Sequence, residues 1–186
     1  ALHVSLWFEQ HALIIDPGTG AYYSNPALRT RMASWDAHNG PVPVAGRSSP
    51  RRMGPFLWAK HHEKPGLEIS GDICVMSVAS DVHRTKRAVH VTQDYVEICD
   101  DVALAASHVV TWQLAPGWRV EHERKNGFVC HHAESIPVHA TLNGDVIEQW
   151  EIVEREASPH FRELVTTQAV KITFRGTLTT IWRKSG

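Results

Sequence analysis

The chain has few cysteines, and none of them falls in a Cys-x-x-Cys motif. Its 186 residues include three, Cys74, Cys99 and Cys130. An odd number argues against a disulfide framework of the kind that holds small secreted domains together, although one disulfide pair stays open. The chain is nevertheless long enough to form one domain around a sizeable core.

An excess of charge of one sign is also absent. Lysine and arginine total 19, aspartate and glutamate total 20, and the formal net charge is −1. This balance excludes the strongly basic surface that is typical of nucleic-acid binders. No apolar run approaches the length that spans a bilayer. We therefore expect neither nucleic acid nor a membrane among the partners, whereas histidine is abundant, with 13 residues.

The periodicity of a long amphipathic helix is missing, and alternating strand patterns occupy most of the chain. Apolar and polar residues alternate over 2–9, 136–142 and 170–174, with turn residues between such runs. Many short strands at close spacing predict an all-β fold, an antiparallel β-sandwich of two stacked sheets with few or no helices. We expect residues 1–186 to form this one domain. Because the first strand pattern begins at once, we also expect a C-terminal fragment of a longer polypeptide.

Local patterns predict where a turn and a central strand lie. Asn143 and Gly144 stand between the alternating run at 136–142 and the strand pattern at 146–153. Asn-Gly between two such runs is a strong signal for a two-residue hairpin. The run Ile73–Met76 is apolar on both faces, which is typical of a strand covered on both sides. We therefore predict a hairpin at Asn143–Gly144 and a central strand at Ile73–Met76.

The residues that carry candidate chemistry lie early in the chain. Asp16 follows a buried strand and precedes Pro17 and Gly18, and His38 comes 22 residues later. Carboxylate and imidazole are both good Zn²⁺ ligands, and such sites use three or four protein groups. One interpretation is therefore a metal site that includes Asp16 and His38. In the other, Asp16 caps the turn and His38 is an ordinary surface histidine.

Two early sequence boxes resemble a known family. They run from Leu13 to Tyr22 and from Ala37 to Asn39, and weaker matches follow at 87–100, 108–116 and 156–161. These boxes are similar to those of the heparinase II/III-like C-terminal domain. That family consists of polysaccharide lyases in which an α-helical toroid precedes antiparallel β-sheet domains. The resemblance implies a periplasmic or secreted protein and covers most of the chain.

The resemblance also implies a metal site. Family members hold a metal, usually zinc, with two histidines and one aspartate, and Asp16 and His38 match two of these ligands. The remaining histidine of the family pattern falls just before Ala1. His3 is the nearest substitute, but it lies too far along the predicted strand to match. Gly40 follows the second box where the family usually has threonine.

The activity implied by the resemblance is β-elimination of uronic-acid-containing polysaccharides. In the family, the residues that transfer protons come largely from the toroid, so we assign no catalytic residue here and expect the isolated chain to be inactive. The implied partners are an acidic polysaccharide and an N-terminal helical domain of the same polypeptide. Tyr22, Arg29 and Arg31 are the candidate substrate-binding residues, since guanidinium groups bind carboxylates bidentately.

Two other functional classes stay open on the sequence. A non-catalytic carbohydrate-binding or scaffold β-sandwich would bind sugar without a metal. A self-contained metalloenzyme of cupin type would need at least three ligands on one strand layer, and the sequence shows no Gly-x-His-x-His cluster of that kind.

Overall fold

The fold is all-β and antiparallel, as the alternation predicts. A computed structural model of the chain describes residues 2–21, 24–45, 51–54, 57–59, 63–79, 84–124 and 126–186. The first strands are β1 (Leu6–Phe8), β2 (His11–Ile14), β3 (Val42–Pro43), β4 (Arg51–Arg52), β5 (Trp58–Ala59), β6 (Gly66–Ser70) and β7 (Ile73–Ala79). The remaining strands are β8 (Arg84–Val91), β9 (Tyr95–Asp101), β10 (His108–Gln113), β11 (Arg119–Arg124), β12 (Gly127–His132), β13 (Ser135–Ala157) and β14 (Val165–Lys184). The described helices are α1 (Pro26–Met32) and a 3-10 helix at Trp35–Ala37, and neither is long and apolar enough to cross a membrane.

One large sheet carries most of the strands. Its order is β11-β12-β13-β14-β9-β8-β7-β6, and β10 pairs with both β14 and β3. The two halves of β14 have different neighbours: Ala169–Phe174 pairs with β10, and Thr177–Arg183 pairs with β9. The long hairpin of β13 and β14 therefore runs through both layers of the sandwich.

The core lies between these two layers. Trp112 on β10 meets Trp182 on the second half of β14, with ring centroids 5.8 Å apart in an edge-to-face arrangement. Phe128 on β12 packs against Trp182 at 5.6 Å, and all three side chains are fully buried. Burial of such large aromatic surfaces is the main favourable term in folding. The predicted two-layer sandwich is confirmed.

The predicted hairpin at Asn143–Gly144 is wrong. β13 runs without interruption from Ser135 to Ala157, and its pairing with β14 shifts register between Gly144 and Val146. A Cβ atom on Gly144 would collide with the carbonyl oxygen of Thr177 on the strand opposite. Glycine is therefore needed here for close approach of two backbones at a β-bulge, and not for a turn.

The predicted central strand at Ile73–Met76 is also wrong in its position. β7 is the second strand from an edge of the sheet, with only β6 outside it among the described strands. Ile73 is 42% exposed, and Leu67 and Ile69 on β6 are more exposed still. The apolar run therefore lies beside β6, the outermost described strand, and is not covered on both faces.

Candidate metal site

Asp16 is held just after the end of β2 by the main sheet. Ile14 forms an isolated bridge with Leu114, and the Ile15 N–H donates to the carbonyl of Gln113 at 3.0 Å. The Asp16 Oδ1 atom accepts a hydrogen bond from the Gly18 N–H at 2.8 Å. This contact is the local turn that aspartate forms with the backbone two residues on. One carboxylate oxygen is therefore engaged by the turn, and Oδ2 is the oxygen that meets the histidines.

His38 lies directly after the 3-10 helix, which ends at Ala37. Its Nδ1 atom is 2.8 Å from the Oδ2 atom of Asp16. The structure thus brings together the two residues that the sequence predicts as ligands.

His3 is a third member of this group. Its Nδ1 atom lies 3.9 Å from Asp16 Oδ2, and its ring meets the His38 ring edge-on with centroids 5.8 Å apart. The expectation that His3 lies too far along a strand is wrong, because β1 begins only at Leu6. Within the part of the chain that the structure describes, these three residues form the only group of three or more potential ligand atoms lying within 4.8 Å of one another. We call His3, Asp16 and His38 the triad.

The protonation states of His3 and Asp16 suit metal binding. Burial is the main cause that lowers the pKa of His3 to about 4; the Asp16 carboxylate opposes this shift, and His38 and Arg87 make smaller contributions that lower the pKa further. Burial alone would raise the pKa of Asp16, but hydrogen bonds from His38 and the Gly18 N–H hold that pKa below its usual value. At neutral pH His3 is therefore a neutral imidazole and Asp16 a carboxylate, and these are the forms that bind metals.

The donor set fits a zinc ion. Two imidazole nitrogens and one carboxylate oxygen are ligands that Zn²⁺ takes. Tetrahedral ligands at Zn²⁺ bond lengths of about 2.0–2.1 Å lie about 3.3 Å apart. The two nitrogen-to-oxygen distances in the triad, 2.8 and 3.9 Å, lie on either side of that value. The Nδ1 atom of His3 accepts a hydrogen bond from the Asn39 N–H at 3.5 Å, so the proton of the neutral ring lies on Nε2, which is 3.3 Å from Ser5 Oγ.

The predicted substrate-binding residues are only partly visible in the structure. Tyr22 lies outside the described residues. Arg29 and Arg31 both stand on α1, where Arg31 forms an exposed ion pair with Glu156. Their role in binding substrate stays a prediction, and a bound carboxylate would compete with Glu156 for Arg31.

A buried ion pair lies beneath the triad and was not predicted as functional from the sequence. Arg87 on β8 and Asp100 on β9 are directly opposite in the register, and neither side chain is exposed. The guanidinium donates to both carboxylate oxygens, from Nε at 2.7 Å and from Nη2 at 2.8 Å. Complete burial raises the pKa of Asp100, and Arg87 opposes that rise. The sequence offers one signal, an arginine and an aspartate on adjacent strands, but not their burial.

Comparisons with known proteins add the family and the fold. Residues 1–183 match the sequence profile of the family described as heparinase II/III-like, C-terminal. The chain is similar in structure to the heparan sulfate lyase HepC from Pedobacter heparinus, with 14% identity and a TM-score of 0.73. That similarity covers 98% of this chain and 30% of the lyase chain. A structure of heparinase III is similar at 15% identity and a TM-score of 0.71, covering 97% of this chain and 29% of the other.

This chain therefore spans about 30% of the length of the solved structures it resembles. At such low identity, the structural likeness shows the fold. Among curated protein sequences, none matches the chain.

Proposed function

Because this chain belongs to the heparinase II/III-like, C-terminal family, we propose that it is the metal-braced β-sheet domain of a polysaccharide lyase. The whole enzyme cleaves uronic-acid-containing polysaccharides by β-elimination. The observation that supports the metal most directly is the convergence of His3, Asp16 and His38 on one point. In this proposal His3 supplies the second imidazole of the site.

The proposed role of the zinc ion is structural: it ties together three segments that are separated in sequence. Asp16 lies just after a strand end, while His3 and His38 lie in segments without regular strand structure. Ordering such segments costs conformational entropy, and a metal bound only by the folded state offsets that cost. His3 and Asp16 hold the neutral and anionic forms that the ion requires.

The charge of the surface beside the triad supports the proposal that the substrate is acidic. A cavity of about 350 Å³ is lined by His38, Arg155 and Lys171, together with Asp36 and neighbouring residues. Arg155 is fixed there by a hydrogen bond from its Nη2 atom to the Asp36 carbonyl at 3.0 Å. Two cationic side chains on the wall of a cavity suit the carboxylates of a uronic-acid chain.

The substrate-binding residues in this proposal are Tyr22, Arg29 and Arg31. Arg31 lies near the basic wall, since Arg31 and Arg155 both line a second cavity of about 440 Å³, whose lining also includes Glu154 and Glu156. A polysaccharide that carries one carboxylate on each uronic acid could therefore meet several cations along its length.

We expect the 186-residue chain to show no lyase activity by itself. β-Elimination needs a base that removes the proton next to the carboxylate and a group that neutralises that carboxylate. In this proposal those groups belong to a helical domain outside the chain. The measurement is the ultraviolet absorbance of unsaturated product on heparan sulfate, alginate and hyaluronan, with a known lyase as positive control. A robust rise with this chain would show that the proton-transfer groups lie within it and would contradict the proposal.

A further inference from the structure

The Arg87 guanidinium makes contacts beyond Asp100. It donates from Nη1 to the Leu2 carbonyl at 2.8 Å and to Asn39 Oδ1 at 3.0 Å. It also donates from Nη2 to the Asn39 carbonyl at 2.7 Å. Together with the two bonds to Asp100, these contacts engage every N–H donor of the guanidinium. All hydrogen bonds of Arg87 are therefore made inside the protein, and they connect two separate backbone segments, at Leu2 and at Asn39.

Asn39 completes the connection between those segments. Its Oδ1 atom accepts from the Val4 N–H at 2.9 Å, and its Nδ2 donates to the Val4 carbonyl at 2.6 Å. Leu2 and Val4 flank His3 in the chain, and Asn39 directly follows His38. The network thus holds the neighbours of both triad histidines and makes no use of Asp16, which the contacts of the β2 segment with β10 fix separately.

We propose that Arg87, Asp100 and Asn39 are positioning residues for the metal site, because they set His3 and His38 against the sheet that fixes Asp16. The inference rests on the zinc site proposed above. Groups that orient metal ligands typically change metal affinity by about 10- to 100-fold when they are removed. Here the orientation acts through backbone segments on either side of the ligands.

The charge balance of the network agrees with this role. A lone guanidinium close to a metal dication would weaken binding by repulsion. Asp100 faces Arg87 with both carboxylate oxygens and offsets part of this repulsion. Arg87 therefore supplies directed hydrogen bonds to Leu2 and Asn39 while a carboxylate balances its charge.

The test is the zinc affinity of Asn39→Ala, which removes the side-chain hydrogen bonds to Val4 and to Arg87 Nη1 and leaves the two bonds between Arg87 and Asp100 in place. We expect a loss of about 10- to 100-fold in affinity, measured by competition with a chromophoric chelator. The absorption spectrum of bound Co²⁺ should also change, since it reports ligand geometry. Thr92→Ala is the control: it also removes a side chain that hydrogen-bonds backbone groups, since Thr92 Oγ1 donates to the Tyr95 carbonyl and accepts from the Tyr95 N–H, both at 3.0 Å, in the turn between β8 and β9.

A second variant keeps the test decisive if one change impairs folding. The double replacement Arg87→Met with Asp100→Leu removes the pair without leaving a lone buried charge, and we expect it to fold with weakened zinc binding. Zinc affinity and a Co²⁺ spectrum equal to wild type in both variants would overturn the positioning role while the metal site stands. Failure of the wild-type chain to bind zinc would overturn both proposals.

Discussion

Replacing Asp100 by alanine lowers the free energy of unfolding by about 3–5 kcal/mol, because it leaves Arg87 as an uncompensated charge in the core. Both side chains of the pair are fully buried. The Arg87 guanidinium also lies over the Trp112 ring at 5.0 Å from its centroid, so the protein interior surrounds it. Urea unfolding followed by tryptophan fluorescence measures the loss.

An exposed ion pair of the same sheet provides the control for this prediction. Lys171 Nζ lies 3.2 Å from Glu151 Oε1, and both side chains are more than 40% exposed. Glu151→Ala should cost only about 0.2–1 kcal/mol, since exposed pairs are weak. An equally small cost for Asp100→Ala would show that the buried pair does not carry the structural role assigned to it.

We expect zinc to raise the thermal stability of the wild-type chain, which is the second prediction with a large effect. An ion that binds only the folded state adds about 2.7 kcal/mol when its free concentration is 100 times Kd. For a chain of this size, each kcal/mol corresponds to about 2–4 °C in Tm. We therefore expect Tm to rise by about 5–10 °C with zinc and to return to the lower value when a chelator removes it.

Variants of the triad assign that shift to particular residues. His3→Ala, Asp16→Ala and His38→Ala should each abolish most of the zinc-dependent rise. His139→Ala is the matched control, because His139 also pairs with a carboxylate, that of Glu123, at 3.1 Å. No third ligand group joins that pair among the described residues. A zinc shift that persists in all three triad variants would place the ion elsewhere.

The fold could be predicted from the sequence because period-two alternation is a local signal. The alternating runs at 136–142 and 170–174 lie within β13 and β14, as expected. The Asn143–Gly144 signal failed because the same two residues serve a bulge where the Thr177 carbonyl comes close. That contact joins strand positions far apart in sequence, and no local pattern reveals it.

The candidate site, too, could be predicted only in part from local sequence. Asp16 and His38 could be named from their sequence boxes, since each stands in a recognisable local context. His3 could not be placed, because Arg87 and Asn39, far away in the sequence, hydrogen-bond the residues on either side of it. Alternation along β8 does not distinguish a buried arginine from an exposed one. Long-range hydrogen bonds of this kind are therefore visible only in the folded chain.

Elemental analysis of zinc in the purified chain tests the proposed metal site most directly. We expect close to one zinc per wild-type chain and per His139→Ala chain after removal of excess metal. We expect almost none in Asp16→Ala and His38→Ala, provided that circular dichroism shows both variants folded. Full zinc content in these two variants would contradict the claim that His3, Asp16 and His38 hold one ion.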